Sequence, residues 1–397
     1  MSKNKTKAVV LGNNYYIGLS TIRCLGLHGV PVVAMDYSEE DRYGAKSKYV
    51  TEKLIVPHYE REKEEFVEAL IEYAKKQQNK PVLIPCHDSY VEVIDEYLQQ
   101  LTEYYLIPQN TQGIYTKTMN KDTLHELAIK HGVRVPETIQ VHEENFFKRV
   151  EEEVGFPCLV KPVDSPTFVE KFRKKLFKVH NMNELKNALE KAKAADIEVF
   201  AQRIIPGFDD HMYTFDAYVN QKGKVSHWTT AQKFRQYPIN FGASVYTVQR
   251  HVPELYEIGA SFLENIGFKG FAEIEFKKDE HTGEFYLIEI NVRITNFNAM
   301  LQKVGLNFPY ITYKELVGEP LPPKAVEETT NIAFWYFYED ILAIKDYLKT
   351  KQLSILSIIR TLFRRKAGAI WSWKDPVPGF SYTAMMIKRI FNRLFKK

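Results

Sequence analysis

The sequence predicts an α/β (α+β) protein: a doubly wound α/β domain first, a strand-rich region after it, and a basic helical C-terminal extension. Three observations carry this. Residues 7–12 (KAVVLG), 17–28 and 30–35 read as buried strand, glycine turn, helix and second strand, the opening of a doubly wound sheet. Residues 201–330 hold strand-like segments at 212–219, 225–230, 272–276 and 285–290. From Lys345 to Lys397, thirteen Lys and Arg stand against Asp346 and Asp375, so this stretch carries +11 and residues 1–344 carry −7 of a total of +4. At 397 residues the chain exceeds one ordinary core.

In order, the elements are these. A charged helix covers 66–76, and PVLIP (81–85) is a short buried strand; the first domain closes at 116. Asn120 caps a helix running to Lys130, stopped by Gly132. FPCLVK (156–161) is a strand and 184–194 a helix, giving a second unit over 117–200. A third unit spans 201–330 and ends at Leu321-Pro322-Pro323. In the extension, 331–397, Met386, Ile387, Ile390, Phe391, Leu394 and Phe395 recur at helical spacing opposite Lys388, Arg389, Arg393, Lys396 and Lys397. Such a face suits peripheral contact with the inner face of a membrane, or simply a basic outer side on helices packed to the body.

Several classes are excluded. Cys24, Cys86 and Cys158 are dispersed and odd in number, which argues against a disulfide framework or a metal knuckle and for a reducing cytoplasm. The N-terminal apolar run is too short for a signal peptide. The best approach to a membrane span, 353–363, is broken by Arg360. No nucleic-acid motif accompanies the basic tail.

The motif with the most chemistry is GFAEIEFKKDEHTGEFYLIEINVRITN at 270–296. It reads as a hairpin, with Glu275 on its first strand and Glu289, Asn291 and Arg293 on its second. A spacing of two puts those three on one sheet face. Two carboxylates and an amide oxygen make a hard-oxygen site suited to Mg²⁺ between nucleotide phosphates. Arg293 beside it can offset charge on a phosphoryl group or a carboxylate. Glu273 shares the face as a supporting acid.

These residues resemble the metal-binding strands of the ATP-grasp superfamily, and the order of the chain from residue 7 to 318 follows that family. The resemblance implies an ATP-grasp fold behind a pre-ATP-grasp domain, with ATP and Mg²⁺ (or Mn²⁺) as cofactors. By it, Glu275, Glu289 and Asn291 hold metal. Lys121 and Lys161 contact the nucleotide. In VFAQRIIPGFDDH, Gln202, the backbone of Arg203 and Ile205, and Asp210 contact base and ribose. Arg293, Lys233 and Arg235, with Arg250, face the phosphoryl group or acceptor. A glycine-rich loop that many members carry after Lys161 is replaced here by VDSPTFVEKFRKKLFKV, where Ser165, Lys171, Arg173, Lys174 and Lys175 are the phosphate candidates. LGNNYYIGLS lacks the dinucleotide glycine spacing; Asp36 merely mimics a ribose acid by position, and His87 and Asp88 are candidate substrate contacts.

The implied function is an ATP-dependent carboxylate–amine ligase working through an acyl phosphate, most similar to the D-aspartate ligase group of cell-wall biogenesis. Its partners would be a small carboxylate and an amine, the latter on a lipid-linked or nucleotide-linked precursor, in a cytoplasmic protein that is a homodimer as is usual for the superfamily. The alternatives are an ATP-grasp carboxylase and a non-catalytic membrane-associated nucleotide-binding protein.

Overall fold

The computed structural model describes residues 5–163 and 165–395, without the side chains of 165–166 and 393–395. The Ser165 side chain therefore lies outside the described residues, as do those of Arg393, Leu394 and Phe395 and the whole of Lys396 and Lys397.

Strands β1 (Ala8–Leu11), β2 (Val32–Asp36), β3 (Val50–Ile55) and β4 (Val82–Pro85) form a parallel sheet in the order β3-β2-β1-β4. β1 and β2 are buried throughout, as a sheet covered on both faces requires. β3 is an edge strand, and its VTEKLI alternates between half-buried and exposed, which hid it in the sequence. After β1 the chain turns through Gly12 at φ +85° into the helix Tyr16–Gly26. A Cβ on Gly18 would lie 2.0 Å from the Gly12 carbonyl oxygen, so this turn and helix can close only on glycine. Asp36 accepts from the backbone N–H groups of Asn13 (2.8 Å), Asn14 (3.1 Å) and Tyr37 (2.9 Å). Its carboxylate thus braces the turn after β1.

A second, antiparallel sheet has the order β5-β8-β6-β7, from β5 (Thr138–Gln140), β6 (Cys158–Pro162), β7 (Phe177–Val179) and β8 (Val199–Arg203). The helix Met182–Ala194 covers it with Leu185, Ala188 and Ala192, and Asn181 caps that helix by accepting from the Glu184 N–H at 3.0 Å. Asn120 caps Lys121–Lys130 in the same way through Asp122 and Thr123.

The third sheet is the largest. β9 (Met212–Val219), β10 (Val225–Tyr237), β11 (Ala243–Gln249), β12 (Gly270–Lys278) and β13 (Phe285–Asn291) pair antiparallel in the order β13-β12-β9-β10-β11. β14 (Lys324–Ala325) pairs with β10, and β15 (Ala333–Trp335) and β16 (Lys366–Gly368) continue the sheet past β11. Residues beyond 330 are therefore woven into this sheet rather than appended to it. Arg23 binds the buried Asp375 through Nε at 2.9 Å and the Ile370 carbonyl through Nη1 at 2.7 Å, tying the C-terminal part to the first sheet's helix. The three cysteines are buried free thiols. Among the described residues no helix is long and apolar enough to cross a membrane.

Candidate active site

The three sheets converge on one cleft of about 1130 Å³. The carboxyl ends of β1 and β4 reach it through Gly12, Cys86 and His87; β6 and β8 bring Lys161 and Gln202; the large sheet brings the acids. Ligands sit at strand carboxyl ends of open α/β sheets for this topological reason.

In β12 and β13, Glu273 pairs with Asn291 and Glu275 with Glu289. Residues directly opposite share a face, so all four side chains look the same way. Glu273 (2% exposed) and Glu275 (8%) are sunk in the floor, while Glu289 opens onto the cleft. Asn291 Nδ2 donates to Glu273 Oε1 at 3.0 Å, which turns the Asn291 amide oxygen toward the cleft. The charge of Glu275 and then burial raise the Glu289 carboxyl above its ordinary range. Buried Lys233 from β10 forms an ion pair with Glu275. Burial pulls Lys233 down, but Glu275 and Glu273 outweigh it and hold the ammonium charged.

Lys161 rises from β6, its Nζ donating to Gln202 Oε1 at 2.7 Å, while Gln202 Nε2 donates to Thr138 Oγ1 at 2.9 Å. Burial, then the charge of Lys121, lowers Lys161 to about 8. Both lysines line the cleft, as do Lys175, Arg203 and Ile205. Arg203 itself faces Glu137 at 3.2 Å, and its backbone N–H donates to the Glu137 carbonyl at 2.9 Å. Arg293 is gripped by Asp88, from Nε at 2.9 Å and Nη2 at 3.0 Å. Asp88 begins the helix Asp88–Glu96 at the end of β4, so the first domain aims the arginine of the third. His87, whose Nδ1 accepts from the Ser89 N–H, caps the same helix and lines the cleft beside it.

Three expected residues fall elsewhere. Arg235 is separated from Lys233 by a bulge: Lys233 pairs with Thr247 but Arg235 with Tyr246, which puts the two on opposite faces. Arg235 is 3% exposed, bound to Asp340 at 2.5 and 2.8 Å and stacked over Tyr246, away from the cleft. Asp210 turns to His211 at 2.9 Å and does not line the cleft; its neighbour Asp209 does, but is bonded to Gln236 and Asn240. Arg250 packs on Phe234, also outside the lining. Conversely, Asp216 escaped notice. It lies in β9 opposite Glu273, fully buried, and burial raises it to about 7; burial and the charge of Asp216 raise Glu273 to about 7. An acid within the apolar run MYTFDAYV was the available signal. Tyr15, Tyr37 and Tyr59 form an aromatic wall at the first-domain end of the cleft that the sequence pattern did not single out.

The family described as "D-ala D-ala ligase C-terminus" matches residues 130–317, which contain β8, β12, β13 and Lys161. D-aspartate ligase of Enterococcus faecium is 28% identical over 270 residues. Over this stretch the chain is similar to the D-aspartate and D-alanine–D-alanine ligases. The match to D-aspartate ligase covers 64% of this chain and 64% of the length of that relative, so the chain spans under two thirds of it. D-alanine–D-alanine ligase of Neisseria meningitidis is 28% identical over 216 residues, 52% of this chain and 67% of that protein. In solved structures, the fold is similar to the biotin carboxylase domain of Hydrogenobacter thermophilus 2-oxoglutarate carboxylase (TM-score 0.64, 18% identity, 83% of this chain and 74% of that one). It is also similar to N5-carboxyaminoimidazole synthetase of Staphylococcus aureus (TM-score 0.62, 19% identity, 82% and 81%). At such identities the likeness is one of fold.

Proposed function

We propose that this protein joins a carboxylate to an amine at the expense of ATP, through an acyl phosphate. The observation that carries the reading is the placement of Glu275, Glu289 and Asn291 on one sheet face, across one cleft from Lys161 and beside Arg293. The oxygen donors fit a divalent cation: two carboxylates repel one another there, as the raised Glu289 records, and a cation between them removes that cost. Mg²⁺ or Mn²⁺ would bind there through one or two carboxylates and take phosphate oxygens for the rest. When bound, the metal supplies charge neutralisation to the phosphates.

The remaining roles belong to the chain. Lys161 and Lys121 offer cations to the inner phosphates, with Gln202 orienting Lys161 rather than touching base. The Arg203–Ile205 backbone offers its edge to the adenine. Lys233 and Arg293 offset charge as a substrate carboxylate oxygen bonds to the γ-phosphorus and the bond to ADP breaks. An amine then bonds to the acyl carbon, loses a proton and expels phosphate. On the similarity to D-aspartate ligase, the acid is an amino acid such as D-aspartate and the amine sits on a cell-envelope precursor.

The test is phosphate release from ATP and Mg²⁺ across both enantiomers of the amino acids, with and without envelope precursors. Turnover should need one acid and one amine and should fall at least about 100-fold in Glu289→Ala. Turnover supported by bicarbonate with no amine would overturn the ligase reading.

A further inference from the structure

The helix Ile355–Leu362 is mounted with its apolar side outward. Ile355, Leu356, Ile359, Leu362 and the adjoining Phe363 fall within about a third of the helix circumference, and all are exposed, Phe363 at 85%. On the opposite side Thr361 is buried. Its Oγ1 meets Arg235 Nη1 at 3.3 Å and its carbonyl accepts from Tyr246 Oη at 2.9 Å. A surface helix of a globular protein buries its apolar stripe; this one spends its polar side on the body and leaves the stripe uncovered. Further along, Trp371 is anchored to Tyr338 by Nε1 at 3.0 Å, while Trp373 is wholly exposed and Phe380 largely so.

Charge decides the occupant. From Lys351 to Lys366 there are five cations and no acid, and Lys351, Arg360 and Arg365 are exposed around the stripe. A second copy seated by two-fold symmetry would bring those same cations against one another. An anionic lipid surface would instead meet apolar side chains with acyl tails and cations with phosphates. We propose that this face docks the protein on an anionic membrane surface, without spanning it. The proposal is independent of the ligase reading, since none of these side chains lines the cleft.

The experiment is co-sedimentation of the full chain with vesicles of phosphatidylcholine alone or mixed with phosphatidylglycerol, at low and high salt. Wild type should partition to the anionic vesicles only, less at high salt, with a blue shift of tryptophan emission. Ile359→Asp with Phe363→Asp should weaken partition more than about tenfold. Arg360→Glu and Arg365→Glu should each weaken it about fivefold or more. All replace exposed side chains, so melting temperature and ATP turnover on water-soluble substrates should hold. Wild type remaining in solution with both vesicles would overturn the proposal. So would variants that bind as wild type, or variants whose one effect is to break a dimer seen by light scattering.

Discussion

Replacing Lys161 by arginine should change how many protons nucleotide binding takes up. Lys161 is held at about 8, because it is buried and shares its surroundings with Lys121. An ammonium with that pKa is about half neutral at pH 8 and about nine-tenths neutral at pH 9. Polyphosphate oxygens beside it favour the charged form, so binding must draw a proton from solution. Uptake should be about half a proton at pH 8, rising toward one at pH 9, with ATP affinity falling up to about tenfold per pH unit above 8. Isothermal titration calorimetry of ATP–Mg²⁺ in buffers of different ionisation enthalpy reads the proton count directly. Arginine stays charged at these pH values, so Lys161→Arg should bind with no such uptake. A wild-type heat independent of buffer at pH 8 and 9 would refute the reasoning, and with it the placement of Lys161 against the phosphates.

Other consequences follow from neighbouring residues. Arg235→Met leaves Asp340 buried without its partner and should cost about 3–5 kcal/mol of stability in a denaturant titration, while ATP affinity of the folded protein is unchanged. Asp88→Asn frees the Arg293 guanidinium and should lower kcat by about 10- to 100-fold with the fold intact, since small misplacement of a charge-bearing group is expensive; kinetics with circular dichroism checks both. Asp216 and Glu273 have folded values of about 7, whereas ordinary carboxyls titrate near pH 4. Between those limits the folded chain holds protons that the unfolded chain has released. The stability they contribute is therefore fully present near pH 4 and is lost as pH rises to and through 7. Thermal melts from pH 5 to 8 without metal should show this decline, and Glu273→Gln should flatten it.

Periodicity and turn chemistry determined much of the molecule. β1, β2, β9 and the β12–β13 hairpin, with the cap Asn120, follow from local preferences that tertiary contacts reinforce. Glu289 and Asn291 share a face because strand side chains alternate with a period of two, which is legible in one dimension, whereas Glu275 comes opposite Glu289 only through an irregularity in the β12–β13 pairing. What only the tertiary structure decided is which of several similar residues meet. Lys233 and Arg235 look equivalent at a spacing of two. A one-residue bulge at Phe234, set by pairing with β11, sends the first to the metal-type acids and the second to Asp340 in a helix more than a hundred residues away. Asp88 and Arg293 are 205 residues apart and meet only when the first sheet docks on the third. Likewise, hydrophobic spacing announced an amphipathic helix at the C-terminal end, but not that Ile355–Leu362 would face its apolar stripe to solvent. Local sequence encodes which side chains share a face; which face is buried depends on the partner surface, and that is a property of the whole fold.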